Sequence, residues 1–282
     1  MNLGRDRKTE VATSRIERGL VLTSYGYVHY RATGAGRALV MLHPHRRAST
    51  VFVGTMKALA GAFRCYAIDL LGHGDSDHPT SKPRIEDYGA CVNEAMESLG
   101  LSRAVILGHT LGSFVGTEVA NTHPKAVRGL ILQNPPFYPS KEYYQQRQTL
   151  RRSRFDLDET GFPRLRTMRD ILEKDMSHAP RVPTQEWLDD DNVNLIKCGR
   201  SLWDGLEAIG AYDWDGALRR IACPVLLMWG EDFLYLQNKQ YFLDRIKDNR
   251  VVLIPDSGLF PQFDNPIAYQ QAIIDFVQGL PA

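Results

Sequence analysis

Short apolar runs alternate with stretches of helical spacing along most of the chain. Seven of the apolar runs predict strands: "GYVHYRATG", "RALVMLH", "RCYAIDL", "RAVILGH", "VRGLILQN", "CPVLLMWG" and "RVVLIPD". Several are apolar on both faces, as strands are when helices cover both sides of a parallel sheet. Helical spacing appears between them, at about 49–62, 85–99, 111–122, 237–247 and 267–280. This alternation predicts an α/β fold with a doubly wound, mostly parallel sheet.

The alternation is interrupted once, over 135–214. This segment is rich in Tyr, Arg, Trp and Asp and has helical spacing in places, as in "TMRDILEKDM", but it has no strand run of comparable strength. It predicts an inserted helical cap over the carboxyl ends of the strands, where open α/β sheets bind ligands. The predicted core is therefore in two parts, 1–134 and 215–282, with the cap between them.

Composition narrows the classes of partner. The 282 residues are 43% hydrophobic, and 34 Lys and Arg balance 33 Asp and Glu, which argues against nucleic acid or an anionic membrane as partner. The four cysteines form no Cys-x-x-Cys pair, and no phosphate loop, dinucleotide fingerprint or metal-ligand cluster occurs, so neither cofactor nor metal is expected. A polar N-terminal segment and the lack of a long apolar run predict a cytoplasmic protein. The oligomeric state stays open.

The stretch "VILGHTLGSF" joins an apolar strand to a helix of small residues through a Gly-x-x-x-Gly turn. A turn this sharp places its corner residue at positive φ with the side chain exposed, and the two glycines let backbone pass closely. The corner residue here is Thr110, although a β-branched residue is poorly suited to positive φ. The N–H of Leu111, at the helix start, is a candidate donor to a developing anion.

Five segments in chain order resemble the α/β-hydrolase superfamily: "VMLHP", "YAIDLLGHGDSDHP", "GHTLG", "PVLLMWGEDFLY" and "VVLIPDSGLFPQFDNP". The resemblance runs from about Gly19 to the C-terminus. It implies that Thr110 stands at the nucleophile position and that Asp232 stands at the position of the triad acid. For Asp232 the alternative is a helix N-cap, a role that Asp fills well. The last segment resembles the loop that normally delivers the triad histidine.

The sequence departs from the family pattern at that loop, because Gly258 is followed by Leu259 instead of His. The eight histidines are His29, His43, His45, His73, His78, His109, His123 and His178, so none lies downstream of the predicted cap. A threonine hydroxyl is a poor nucleophile without a base, and deleting the base of a serine hydrolase costs roughly a millionfold in turnover. The triad is therefore predicted to be degenerate, and ordinary ester hydrolysis is not expected.

Other polar groups are candidates for the missing chemistry. In "LHPHRRAS", Pro44 replaces the usual Gly, and the resemblance puts His45 at the second oxyanion donor, where its imidazole can also act as acid or base. The resemblance makes His43 a support for this loop, whereas His109 is expected to pack behind the elbow. His178 lies in the predicted cap, with a surface position favoured over one in the pocket.

The sequence leaves three possibilities for the environment of the Asp232 carboxylate. A charged carboxylate facing Leu259 needs a cap Arg or Tyr, or water, or its pKa rises. Three functions remain. The first is a small-molecule enzyme that uses Asp232 and His45 for non-hydrolytic acid–base chemistry such as isomerisation, elimination or cyclisation. The second is a hydrolase using Thr110 with His45 or His178 as substitute base, and the third is a non-catalytic ligand-binding protein. The aromatic cap favours a fairly hydrophobic small molecule, but its rings are equally suited to the cap's own core.

Overall fold

The structure, a computed structural model, describes residues 15–152, 159–160, 164–174 and 176–281. The polar segment on which the cytoplasmic prediction rests lies mostly in 1–14, outside the described residues. The strands are β1 Glu17–Thr23, β2 Gly26–Thr33, β3 Arg37–Leu42, β4 Phe63–Ile68, β5 Ala104–His109, β6 Val127–Gln133, β7 Val225–Gly230 and β8 Asn249–Ile254. The helices are α1 Val53–Leu59, α2 Ile85–Ser98, α3 Leu111–Thr122, α4 Lys141–Arg152, α5 Met168–Lys174, α6 Gln185–Cys198, α7 Asp204–Ala211, α8 Trp214–Arg220, α9 Lys239–Leu243, α10 Pro261–Asp264 and α11 Pro266–Gln278.

The eight strands form one sheet in the order β1-β2-β4-β3-β5-β6-β7-β8. Strands β1, β2 and β4 pair antiparallel, and every other pair is parallel. This confirms the predicted α/β class and the mostly parallel, doubly wound sheet. The parallel strands end at one edge, which collects the loops that follow β3, β5, β6, β7 and β8.

Period-two alternation along the central strands creates two separate cores. In β5, Ile106 joins the core on the face covered by α2, α3 and α8, whereas Val105 and Leu107 join the core on the face covered by α1 and α11. All six residues of β5 are buried. Since both faces are covered, these strands are mostly apolar on both faces, which is the pattern seen in the sequence.

Two differences from the sequence prediction concern the edges of the sheet. Strand β1 was not predicted, because its residues are largely exposed or half-exposed and it depends on antiparallel pairing with β2. The helix expected over 237–247 is shorter: a 3-10 turn at Leu236–Asn238 leads into α9.

Between β6 and β7 the chain forms α4 to α8, hereafter the helical insertion. Its contacts reach loops that follow the carboxyl ends of the strands: Thr50 donates to Asp190, and the His78 ring pairs with Ser201. The insertion therefore packs against the edge where the predicted site lies. That 135–214 is a distinct cap domain stays a prediction, and α8 begins at its proposed second boundary. Among the described helices, none combines the length and the apolar character needed to cross a bilayer.

Candidate active site

Thr110 occupies a sharp corner between β5 and α3. Its backbone has φ 47° and ψ −100°, and its N–H donates to the carbonyl of Gln133 over 3.2 Å. Positive φ costs a β-branched residue on the order of 1 to 3 kcal/mol, so the surrounding packing must hold the corner. The Thr110 side chain is half-exposed, whereas Leu111 is fully buried. The strained elbow expected from the sequence is present.

Two glycines make the elbow possible. A Cβ on Gly108 would lie 2.2 Å from the carbonyl oxygen of Gly112, and a Cβ on Gly112 would lie 2.1 Å from the carbonyl oxygen of Leu42. Helix α3 therefore starts in direct backbone contact with β3. Leu111 is its first residue, so its N–H has no acceptor one turn earlier within the helix and points out of the helix end.

The loop after β3 places its two histidines differently. His43 is fully buried: its Nδ1–H donates to the carbonyl of Pro44, and its Nε2 accepts from the N–H of Leu70, both over 2.9 Å. Burial lowers the pKa of His43, and these bonds require its neutral form. Both nitrogens serve the loop, so His43 and the buried Pro44 are structural parts of it.

His45 is half-buried and lies next to Gly205 of α7. A Cβ built on Gly205 would be 3.3 Å from Cδ2 of His45 and 3.2 Å from Cδ2 of Leu111, so the side chains of His45 and of the first residue of α3 both border Gly205. The Nε2 atom makes a short hydrogen bond with the carbonyl of Leu202. Because a carbonyl only accepts, Nε2 carries the proton, and Nδ1 is the nitrogen that takes up a proton in the neutral ring.

His109 and His178 have surroundings that do not suit a triad base. The His109 ring is fully buried and packs edge-on against Phe260, with ring centroids 5.5 Å apart. His178 lies in a 3-10 turn, Met176–His178, where its Nδ1 pairs with Ser177 over 3.0 Å. The first ring is packed into the core behind the elbow, and the second lies in a turn of the helical insertion.

Asp232 is not enclosed. Its side chain is 57% exposed, and its carboxylate forms a 2.9 Å ion pair with Arg181 of the helical insertion. This is the first of the three environments considered from the sequence. Arg181 also pairs with Asp256 over 3.0 Å, and its N–H donates to Asp264 over 2.7 Å. One arginine therefore joins the insertion to three carboxylates of the core.

Leu259 lies half-buried in the loop between β8 and α10. The backbone of this loop is fixed by Asn134, a fully buried residue at the end of β6 with φ 47°. The Asn134 amide donates to the carbonyls of Gly258 (3.1 Å) and Leu259 (2.9 Å) and accepts from the N–H of Gly230 (3.0 Å). The ends of β6, β7 and β8 are thus tied together by one side chain.

One set of possible metal ligands lies under the loops of the same edge. Donor atoms of His29, Asp69 and Asp75 are within 4.8 Å of one another. However, the Asp69 carboxylate already accepts from His29 Nδ1 (2.8 Å), the Asp75 N–H (3.0 Å) and the Ser49 N–H (2.6 Å). These bonds lower the pKa of Asp69 against the opposing effect of its burial. The hydrogen bonds of this cluster therefore anchor the loops.

Sequence reasoning missed Arg181, Asn134 and Arg47. Arg181 comes from the insertion, and no local motif points from it to Asp232. Asn134 follows an apolar strand and precedes two prolines, which is a signal for a turn but not for a bond to a loop 124 residues away. Arg47 has the sequence context of a surface residue in "HRRAS", yet its side chain is 2% exposed.

Known proteins are similar to this chain in sequence and in fold. A family model described as the alpha/beta hydrolase fold matches residues 37–266, so the chain belongs to the α/β-hydrolase family. Haloalkane dehalogenase 2 of Mycobacterium tuberculosis is 31% identical over 119 residues, covering 42% of this chain and 42% of that protein. The (E)-2-((N-methylformamido)methylene)succinate hydrolase of Acinetobacter baylyi is 24% identical over 221 residues, covering 77% of this chain and 80% of that protein.

A solved structure, that of E-2-(acetamidomethylene)succinate hydrolase, superposes with a TM-score of 0.76 at 20% identity, covering 94% of this chain and 100% of that one. At this identity the likeness concerns the fold. The chain spans between a third and two fifths of the length of the first curated relatives it matches. The family and its hydrolase relatives are therefore established, while substrate and reaction are matters for proposal.

Two buried imidazoles predict acid sensitivity of the fold. Burial lowers the pKa of His73 and of His109 to about 3. Between about pH 3 and the unfolded value near 6.5, only the unfolded chain binds these protons, so stability falls as the pH falls. We expect the free energy of unfolding to drop by roughly 1.4 kcal/mol per pH unit for each ring below pH 6.5.

Urea unfolding at pH 7.0, 6.0 and 5.0 measures this slope. In His73→Asn, the amide keeps a donor for the Leu71 carbonyl that His73 Nδ1 contacts over 2.9 Å. The variant should lose stability less steeply with falling pH than the wild type, whatever its stability at pH 7. Equal slopes in the two proteins would contradict the assignment of His73 as a neutral, buried ring.

Proposed function

We propose that this protein is a small-molecule enzyme that performs acid–base chemistry without a covalent intermediate: an isomerisation, elimination or cyclisation. The observation that carries the proposal is the placement of the histidines. All eight lie in the described residues, and His45 is half-buried and borders Gly205 together with Leu111, the first residue of the elbow helix. The resemblance to the family implies that Leu259 stands where the triad base usually does.

The proposed chemistry uses the His45 ring and the N–H of Leu111 at the start of α3. His45 Nδ1 takes a proton from a carbon next to a carbonyl group, and the Leu202 carbonyl stabilises the imidazolium through Nε2–H. The electron pair of the broken C–H bond moves into the carbonyl, whose oxygen becomes negative. The N–H of Leu111, at the positive end of α3, stabilises that oxygen. The imidazolium then returns the proton to another atom or to a leaving group.

Thr110 and Asp232 have supporting parts in this proposal. Thr110 holds the corner that aims the Leu111 N–H, and its hydroxyl faces the reacting molecule as a hydrogen-bond partner. Asp232 is neutralised by Arg181, so it contributes a fixed ion pair at the edge of the site. The helical insertion would cover a fairly hydrophobic substrate and exclude water from the reacting atoms.

Hydrolysis by Thr110 is the second candidate, and the preserved strain at φ 47° favours it. In that mechanism His45 would take the Thr110 proton, and a covalent acyl intermediate would form. The two mechanisms differ in which atoms of water enter the product: proton abstraction introduces solvent hydrogen on carbon, whereas hydrolysis introduces solvent oxygen.

The test is isotope labelling over a panel of carbonyl compounds with acidic C–H bonds, together with simple esters, epoxides and haloalkanes. Mass spectrometry after incubation in D₂O should find deuterium on carbon, with rates reduced at least about a hundredfold in His45→Gln and by no more than about tenfold in Thr110→Val, which loses one hydrogen bond to the reacting molecule. His123→Gln, a surface change of the same kind, is the matched control and should behave as wild type.

If the product contains label from H₂¹⁸O and Thr110→Val loses that label, the proposal is refuted and hydrolysis by Thr110 is supported. Recovery of every compound unlabelled and unconverted, while some still bind, would replace it with a ligand-binding protein. Activity that persists in folded His45→Gln would show that another group transfers the proton.

A further inference from the structure

The side chain of Arg47 lies in an aromatic corner between the core and the helical insertion. Its guanidinium carbon is 4.5 Å from the ring centroid of Trp187 in α6 and 5.3 Å from that of Phe260, which follows Leu259. The two rings are themselves 5.9 Å apart. With a side-chain exposure of 2%, this cation is removed from solvent. Its N–H groups therefore need partners inside the protein or on a ligand.

The protein supplies charge to Arg47 but not hydrogen bonds. Its guanidinium lies 3.0 Å from an Asp191 oxygen and 3.7 Å from an Asp190 oxygen. The Asp191 carboxylate accepts hydrogen bonds from Arg166 and Arg46 at Oδ2, whereas its Oδ1, 3.0 Å from Arg47 Nη1, forms an ion pair without hydrogen-bond geometry. Within the described part of the chain, none of the three guanidinium nitrogens of Arg47 makes a hydrogen bond of normal geometry.

The same corner contains a second buried donor that lacks an acceptor. The indole N–H of Trp187 is buried, and no described residue accepts from it. Arg47 and Trp187 are both donors only, so they cannot satisfy each other. Buried donors left without acceptors are costly, and a carboxylate offers two acceptor oxygens together with the charge that an arginine fork recognises.

This corner contacts the elbow through the Phe260 ring, which packs on the ring of His109, the residue before Thr110. His45 and Arg47 belong to the same short loop after β3. The corner and the elbow are therefore joined through His109 and Phe260.

We propose that Arg47 and Trp187 form a carboxylate-binding subsite, so that the substrate is an organic acid held by its carboxylate during the reaction. This inference rests on the proposed function for what happens at the other end of the molecule. It adds a substrate class and two specificity-determining residues, Arg47 for the charge and Trp187 for one further hydrogen bond.

The binding experiment uses butyrate and succinate as probes, with butyramide and succinamide as neutral counterparts of similar shape. Isothermal titration on the full chain should detect the acids and not the amides. We expect Arg47→Met to weaken acid binding at least about tenfold, and Trp187→Phe, which keeps a ring but removes the N–H, to weaken it about threefold. Arg169→Gln, an exposed charge change in the same insertion, should leave the dissociation constants unchanged.

Circular dichroism of each variant establishes that it is folded before titration, and Trp187→Phe provides a milder test if Arg47→Met does not fold. Equal affinity for acids and amides, or equal acid affinity in wild type and the two folded variants, would overturn the subsite and leave Arg47 as a structural ion pair. A loss of affinity in Arg169→Gln of the same size would show a general charge effect instead.

The outcomes separate this subsite from the proposed reaction. His45→Gln should abolish deuterium incorporation and keep the affinity for butyrate within about twofold, because the proposed subsite binds the carboxylate through Arg47 and Trp187. Acid binding that depends on Arg47 in a protein with no proton transfer would support the subsite and refute the reaction. Proton transfer without acid binding would do the reverse.

Discussion

Gly112→Ala is expected to lose at least about 3 kcal/mol of unfolding free energy. The added Cβ would lie 2.1 Å from the Leu42 carbonyl oxygen and 2.7 Å from its carbonyl carbon. Both are backbone atoms at the buried end of a central strand, so they cannot move aside as a side chain does. Helix α3 would have to shift away from β3, and the elbow would open.

Chemical denaturation measures the effect, and Gly54→Ala is the matched control. Gly54 lies in α1, where an added Cβ would meet nothing within 4 Å, so alanine there should add about 0.5 to 1 kcal/mol through helix propensity. A Gly112→Ala protein as stable as the wild type would mean that α3 does not approach β3 as closely as the structure shows.

The combined change Thr110→Ser and Leu259→His is expected to create esterase activity at least about a hundredfold above wild type on an activated ester such as 4-nitrophenyl acetate. The elbow already has the required backbone, and Asn134 already holds the loop that carries position 259. The acid is the remaining weakness, because Asp232 is paired with Arg181 and largely exposed. Adding Arg181→Gln should release Asp232 to orient the new imidazole and raise the rate by roughly another tenfold.

Two controls keep this prediction testable. Thr110→Ser with Leu259→Gln has no base and should stay at the wild-type rate, whereas Arg169→Gln in place of Arg181→Gln changes an exposed charge that pairs with Glu173 instead of Asp232. A fluorophosphonate should label position 110 only when the histidine is present. A folded triple variant without activity would mean that position 259 does not face the corner residue.

The sequence predicted the frame of the molecule well because the frame depends on local signals. The central strands are mostly apolar on both faces, and Gly108 and Gly112 mark a turn that few other residues permit. The strain at Thr110 followed from the same reasoning, since only a sharp strand-to-helix corner forces a β-branched residue to positive φ. The edge strand β1 was missed because it is not buried on both faces.

The contacts that decide the chemistry were harder to predict because they join distant parts of the chain. The partner of Asp232 is Arg181, and the guanidinium beside Phe260 comes from Arg47, far away in sequence. An arginine in a polar stretch usually extends into solvent, and nothing in "HRRAS" indicates that one of its two arginines is enclosed. Such pairings depend on how the helical insertion settles on the core.

The way Asn134 holds the final loop has a consequence for how this protein changes over generations. Its amide binds the main chain at Gly258 and Leu259 and takes no account of their side chains. Codons for leucine and histidine can differ by a single base, and so can those for threonine and serine. Single-base substitutions can therefore exchange the side chains at positions 110 and 259 while the backbone of the loop stays in place.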